Sequence, residues 1–317
     1  MLLGIDIGGT QIKGATVDET GAVAQSLRID TPASLDEFRQ ALLRLIRQLS
    51  ASAATVSAVG IGCKGIINPE TTRVEVLPGT LHYLEGQLLS AIVARALPPE
   101  VPIAADNDAR VALAGEVAWG AARQYRNVVM LTLGTGVGGG VLADGRVLRG
   151  ATGAAGHIGH LTVDPFGVLC ICGNRGCLET VFSARSIESE AFAAIHRGTE
   201  SRLLASGDSR PSCAAVFDLA RQGDAIASDI IRKATAVLGA AIAGLAFVFD
   251  PERVILGGQM SEAGDVLLGP LRAEVRWRTE GFLRREIPIV RSTLVDPSGV
   301  IGAAALALEA KNRKEAA

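Results

Sequence analysis

The sequence predicts an α/β protein built from two similar halves, and three observations carry that prediction. The composition suits a chain with a large core: 317 residues, 48% hydrophobic, many of them alanine, with 37 glycines and only 4% aromatic residues, which fits an α/β protein better than an all-β sandwich or a disordered chain. A unit of strand, Gly-Thr turn, strand, turn and strand opens the chain at LLGIDIGGTQIKGATV and recurs as VVMLTLGTGVGGGVLADGRVL, roughly 125 residues later. Each copy is followed by segments in which helical and strand periodicities alternate. Each half is therefore expected to be a mixed sheet covered by helices, with a cleft between the two.

The elements follow in order. LLGIDI, the turn Gly8-Gly9-Thr10, IKGATV, a DETG turn and a strand near AVAQSLRI read as a β-meander. Ser34 and Glu37 have capping-box spacing, and Phe38, Leu42, Leu45 and Leu49 then share one face of a helix. VSAVGIG reads as a buried strand, Leu88 to Ala96 as a helix, and PIAAD as a short strand. After the second meander, helices dominate from Ser183 to about Phe247. RVILGG is a strand, a helix follows, IPIVRS is a strand, and a last helix from Val300 is expected to return to the N-terminal half.

Charge and composition exclude several classes. The net charge is −2 with both signs mixed along the chain, so no basic stripe supports nucleic-acid binding. The first residues run directly into a strand, with no basic and apolar leader, so no signal peptide is expected. The most apolar later stretch, Ala236 to Phe249, is rich in Ala and Gly and reads as too short to span a membrane. Reduced cysteines without an export signal point to the cytoplasm.

The most specific pattern lies between Gly156 and Glu179, GHIGHLTVDPFGVLCICGNRGCLE. Cys170, Cys172 and Cys177 cluster there, with His160 ten positions before the first of them and Gly173 and Gly176 allowing a tight fold. One imidazole and three thiolates complete a tetrahedral zinc shell, and a closed four-ligand shell is structural. The alternative is a disulfide pair with a bystander cysteine, but nothing else in the chain suggests an oxidising compartment.

Two glycine turns have phosphate-binding character. Gly8, Gly9, Thr10 and Gln11 follow a buried strand carrying Asp6, a carboxylate suited to holding magnesium through water. One such turn is also a common steric device. The second, Gly134-Thr135-Gly136, makes a two-sided clamp on a polyphosphate the better reading. Gly257-Gly258 at a strand end suits close approach of a flat ring or sugar, or only a tight turn. Asp106-Asn107-Asp108 precedes a helical stretch; it reads equally as an N-cap or as a general base, Asp108, beside a substrate-binding amide, Asn107.

DIGGTQIKG, the NDA at Asn107 to Ala109, LGTGVGGG and above all GHx9CxCGxxGCxE from Gly159 to Glu179 resemble the ROK family of sugar kinases and sugar-responsive repressors, and VFDPERVILGG and GVIGAAALA agree. The resemblance covers essentially the whole chain. It implies two actin-like, ribonuclease H-like domains with five-stranded mixed sheets: 1–115 plus 299–317, and 116–298 with the zinc-binding loop. It implies ATP-dependent phosphorylation of a hexose or N-acetylhexosamine, usually at the 6-hydroxyl, with Mg²⁺ and a structural zinc, in a homodimer or homotetramer with no nucleic-acid or membrane partner. Polyphosphate is the alternative donor. On the same ground Asp108 matches the catalytic base; Asn107, His157, His160, Glu179, Gly65 and Thr80 lie on the sugar side. Asp6, Gly8 to Gln11, Lys13, Gly134 to Gly136, Gly257 and Gly258 lie on the nucleotide side, and His160, Cys170, Cys172 and Cys177 match the zinc ligands.

The chain departs from the family pattern on the sugar side. His157 stands where the family usually has glutamate, replacing a charged acceptor pair with one donor and one acceptor. Lys64 precedes Gly65 where the family often has proline, bringing a charge towards the cleft; it reads as a substrate contact or as a solvated side chain. Gly79 and Thr80, in LPGTLHYLEG, stand in place of an Asn-Leu pair. A sugar-sensing regulator or a sugar-binding protein without activity are the alternatives; family repressors carry a helix-turn-helix before the DIGGT strand, which here begins at Leu2.

Overall fold

The computed structural model describes residues 1–52, 55–197, 202–204, 211–294 and 298–316. A meander of β1 (Leu2–Ile7), β2 (Gln11–Val17) and β3 (Val23–Asp30) leads into α1 (Leu35–Ser52) and β4 (Ala58–Cys63). A short ribbon of β5 (Ile66–Ile67) and β6 (Val74–Val76), then α2 (Leu89–Val93), β7 (Ile103–Asn107) and α3 (Asp108–Trp119) follow. The second meander is β8 (Val128–Leu133), β9 (Val137–Ala143) and β10 (Arg146–Val147). Three helices, α4 (Ala184–His196), α5 (Cys213–Arg221) and α6 (Ala225–Phe249), precede β11 (Arg253–Gly257), α7 (Asp265–Leu283), β12 (Ile289–Arg291) and α8 (Ser298–Glu315).

The two sheets have one topology. The first runs β3-β2-β1-β4-β7 and the second β10-β9-β8-β11-β12. In the first, β2 is antiparallel to β1 and β3, while β1, β4 and β7 are parallel. In the second, β10 is antiparallel to β9, and β8, β11 and β12 are parallel. This is the ribonuclease H-like arrangement of actin-like proteins, present twice. The chain divides into two compact units, 1–126 with 140–156 and 292–317, and 127–139 with 157–291. Residues 140–156 thus count with the N-terminal unit, and the division passes through β9.

Period-two alternation sorts the first sheet onto two helical layers. Leu3, Ile5 and Ile7 of β1 and Val59, Ile61 and Cys63 of β4 face α1, where Phe38, Leu42, Leu45 and Leu49 form the buried stripe read from the sequence. Ser34 Oγ and the Glu37 backbone N–H meet at 3.4 Å at the start of α1. The opposite face carries Leu2 and Ala58 against Val300, Ala304 and Ala307 of α8. There α8 lies on bare backbone: a Cβ at Gly4 would sit 2.0 Å from the Val300 carbonyl oxygen, and one at Gly60 would sit 1.8 Å from that of Ala303. Asp6, next in that alternation, rests against the first turn of α8, since a Cβ at Gly299 would lie 2.4 Å from its Oδ2.

Two elements differ from the sequence reading, and the turn expected within VLADGRVL is present. The helix expected over Leu88 to Ala96 is α2 followed by a 3₁₀ turn at Ala94–Ala96, with Leu97 extended (φ −133°, ψ 156°); Pro98 forbids a helical residue before it. The Asp144-Gly145 turn has both residues at positive φ, 49° and 77°, as a two-residue hairpin of matching twist requires. The apolar stretch ending at Phe249 is part of the 25-residue α6, which is long and apolar enough to cross a membrane, yet most of its apolar window is buried. Packing against α5 and α7 accounts for that apolarity.

The helix–sheet contact at Gly60 predicts a large effect from one methyl group. Gly60→Ala is expected to destabilise the protein by about 3 kcal/mol, because backbone of α8 must move rather than a side chain; urea denaturation measures it, and a loss under about 1 kcal/mol would show that α8 does not lie there.

Candidate active site and metal centre

In the first unit, the hairpin between β1 and β2 closes with Gly8 N–H donating to Gln11 O at 3.0 Å. Thr31 ties it down, its hydroxyl donating to Gly8 O at 2.8 Å and its N–H to Thr10 O at 2.9 Å. Gly9 and Thr10 are exposed, Gly8 and Gln11 half-buried. A Cβ at Gly9 would lie 2.8 Å from Thr80 Oγ1 and 3.9 Å from Lys64 Nζ, so the loop before β5 and the loop after β6 both reach this hairpin. Lys64 Nζ donates to Thr80 Oγ1 at 2.6 Å and meets Pro78 O at 3.4 Å. Leu81 takes a left-handed backbone (φ 70°) with its side chain buried, which turns the chain just after Thr80. Lys13 is paired with Asp6 in the strand register.

The junction of β7 and α3 separates its two carboxylates. Asp106 is 2% exposed. Its Oδ1 meets Arg110 Nε at 2.7 Å and Nη2 at 2.6 Å, and its Oδ2 accepts from Arg149 Nε at 2.8 Å. Arg110, itself 1% exposed, also donates to Ala155 O at 2.6 Å. Asn107 caps α3: its Oδ1 accepts from the N–H of Ala109 at 3.0 Å and faces that of Arg110 at 3.4 Å. Its Nδ2 donates to Gly65 O at 3.1 Å, and Gly65 has φ 88° with no room for a Cβ beside Val76 O. Asp108, the first residue of α3, is exposed, with Oδ1 accepting from Ala109 N–H at 2.9 Å. The capping reading therefore holds for Asn107, and Asp108 is the carboxylate that faces outward. Burial drives the Cys63 thiol far above its ordinary range, and the Asp108 and Asp6 carboxylates push it further.

In the second unit four sequence motifs meet at one turn. Gly134 N–H donates to Gly136 O at 3.0 Å, closing the second glycine hairpin, and Gly134 O accepts from Ala184 N–H at 2.9 Å at the start of α4. Glu179 Oε2 accepts from Val137 N–H at 2.9 Å and fills the place of a Gly136 Cβ, which would lie 2.2 Å away. Gly159 of GHIGH presses on Val137 O, where a Cβ would lie 2.0 Å off. Gly258, at φ 80°, presses likewise on Leu133 O at 2.3 Å, so Gly257-Gly258 is at least a tight turn beside the hairpin. The rings of His157 and His160 are parallel, 6.4 Å between centroids.

His160, Cys170, Cys172 and Cys177 bring one ligand atom each within 4.8 Å of one another. Cys170 Sγ lies 3.6 Å from His160 Nδ1 and Cys172 Sγ 3.6 Å from Cys177 Sγ. A tetrahedron with Zn–S arms of 2.3 Å has edges of about 3.8 Å, so the four donors fit such an ion. All five cysteines are free thiols. Burial raises the Cys177 thiol to about 12. At Cys172 burial acts upward too, but the Asn174 N–H and the two neighbouring thiols outweigh it and lower the value. The loop is built for the cluster: Gly173 and Gly176 have φ 89° and 62°, and a Gly176 Cβ would collide with Asp164 O.

Sequence reasoning missed Arg110 and Arg149, and it singled out Lys64 without its partner Thr80 or its place beside Gly9. Arg110 lies four residues after Asp106, the spacing of a helical ion pair, which was a usable signal; Arg149 had none.

A doubled ribonuclease H-like sheet, each copy with a glycine hairpin after its first strand, defines an actin-like α/β protein. The ROK family model matches residues 2–310, and the chain belongs to the ROK family. It is 34% identical over 315 residues to a glucokinase of Streptomyces coelicolor, covering 98% of each chain. It is 34% identical over 317 residues to an N-acetylmannosamine kinase of Citrobacter koseri, covering 96% of this chain and 98% of the relative. Its fold matches the crystal structure of a ROK family glucokinase from Streptomyces griseus in complex with glucose and AMPPNP, with a TM-score of 0.84 at 33% identity, covering 97% of this chain and 99% of that one.

Two outcomes follow. Asp106→Ala strands a buried guanidinium and is expected to cost about 3–5 kcal/mol in urea denaturation, whereas Asp108→Asn is expected to change stability by under about 0.5 kcal/mol. Metal analysis is expected to find about one zinc per chain, lost together with thermal stability in Cys172→Ser; full zinc retention in that variant would remove Cys172 from the ligand set.

Proposed function

We propose that this sugar kinase transfers the γ-phosphoryl group of ATP to the 6-hydroxyl of a hexose or N-acetylhexosamine, with Asp108 as the general base. The observation that carries the reading is the asymmetry at the head of α3. Asp106 is sealed by two arginines, and Asp108 stands exposed on a backbone locked by the Asn107 cap. A base must be reachable and oriented, and only Asp108 of the pair is both. The names of the relatives, glucokinase and N-acetylmannosamine kinase, and the AMPPNP complex support the acceptor class and the donor.

Phosphoryl transfer demands positioning and charge compensation more than covalent chemistry. Asp108 takes the proton of the acceptor hydroxyl as its oxygen bonds to the γ-phosphorus; the bond to the bridging oxygen breaks and ADP leaves. The N–H groups of the Gly8–Gln11 and Gly134–Gly136 hairpins, with Thr10 and Thr135, hold phosphate oxygens. Asp6 would hold, through water, a magnesium ion accompanying the nucleotide, which would supply positive charge to offset that of the phosphates. His160 turns Nδ1 to the thiols, which puts Nε2 on the opposite edge of the ring for a sugar hydroxyl. Zinc on the four donors supplies the staple that keeps this histidine and Glu179 in place. Glu179 keeps one oxygen on Val137 and presents the other to the sugar. His157 offers one donor and one acceptor where a glutamate would offer only acceptors, and so shifts sugar preference. The oligomer that goes with this reading is a homodimer or homotetramer.

ADP release with a panel of hexoses and N-acetylhexosamines tests it. Turnover is expected with at least one sugar, and Asp108→Asn is expected to lower kcat by about 10²–10⁴-fold. Sugar binding without turnover on any member would favour a sensor, the reading that His157 motivates.

A further inference from the structure

We infer that the Lys64 ammonium contacts the phosphoryl group being transferred, as a second catalytic residue of this chain. The inference rests on the kinase reading and deepens it. Where the family pattern often has proline before the glycine, this chain has Cys63-Lys64-Gly65, so the role belongs to this sequence and is not inherited from the motif.

Geometry places the charge. Lys64 Nζ donates to Thr80 Oγ1 at 2.6 Å and lies 3.4 Å from Pro78 O. It stands 3.9 Å from where a Gly9 Cβ would be, behind the Thr80 hydroxyl at 2.8 Å, on the Gly9 side of the first glycine hairpin. The next residue, Gly65, accepts from Asn107 Nδ2 at 3.1 Å, so the loop carrying the lysine is tied to the residue before Asp108. Electrostatics agree: the Asp108 and Asp6 carboxylates and the Lys64 ammonium all act on the Cys63 thiol, the first two raising its pKa and the lysine opposing them. The ammonium thus stands at a point beside the first glycine hairpin, on a loop tied to the residue before the proposed base, within one compact unit.

That point suits the phosphoryl group better than the sugar. An ammonium facing neutral hydroxyls gains ordinary hydrogen bonds, whereas one facing the charge-bearing equatorial oxygens of a transferring phosphoryl gains charge-assisted ones. The step balances without the lysine changing state. The acceptor oxygen forms its bond to phosphorus, the bridging oxygen leaves with its electron pair on ADP, the proton passes to Asp108, and Lys64 remains an ammonium throughout.

Steady-state kinetics with MgATP and the sugar that wild type turns over best, on Lys64→Met and Lys64→Arg, tests this. Lys64→Met is expected to lose about 10²–10³-fold in kcat, while the sugar KM moves by less than about threefold. Lys64→Arg is expected to recover to within about tenfold of wild type, since it keeps the charge but not its compact geometry. Inhibition by ADP with aluminium fluoride and the sugar should weaken in Lys64→Met by a factor similar to the kcat loss, and inhibition by ADP alone should not, a contrast that a merely structural lysine would not produce. A Lys64→Met kcat within about twofold of wild type, or a loss confined to the sugar KM, overturns the assignment and leaves the kinase reading intact. Absence of wild-type turnover on every sugar removes both.

Discussion

The buried carboxylate of Asp106 is the constraint on which the first unit's chemistry depends. A charge removed from water needs partners, and here Arg110 comes from one turn along the following helix while Arg149 comes from beyond the second meander. Satisfying Asp106 fixes where α3 starts and how it leaves the sheet. Asn107 then has no freedom but to cap the helix, and Asp108 is placed outside on the first turn. One carboxylate is buried in the fold and its near neighbour stays in water, and the separation follows from desolvation energy.

Glycine does the equivalent work elsewhere by being absent as a side chain. Gly4 and Gly60 let α8 lie directly on β1 and β4, which brings its first turn to Asp6. Gly136 leaves the space that the Glu179 carboxylate fills, and Gly159 and Gly258 press against the carbonyl oxygens of Val137 and Leu133. Gly136, which the sequence offered as a phosphate-turn residue, thus has a packing role as well.

The cluster of His160 with three cysteines and the second hairpin are linked through a short path. Cys177 carries the last thiol and is two residues before Glu179, whose carboxylate holds Val137 at the end of the glycine turn. His160, a donor at the cluster, lies one residue after Gly159, which packs on the same Val137. Ordering the thiolates therefore orders both neighbours of the turn.

Short-range patterns made much of this legible in the sequence. Alternation within β1 and β4, the stripe of α1, the paired glycine turns and the spacing of His160, Cys170, Cys172 and Cys177 are local signals, because strand, helix and metal-loop geometry constrain residues a few positions apart. What only the tertiary structure decided involves distant partners. It sealed Asp106 with Arg149, 43 residues away, and left Asp108 exposed. It brought Lys64 to Gly9 through Thr80, and it set Glu179 against Gly136, 42 residues from its bond at Val137. It buried α6, whose apolarity alone also suits a membrane. Desolvation and close packing act between whatever surfaces the chain brings together, and residues that meet only after folding leave no period in the sequence to be read.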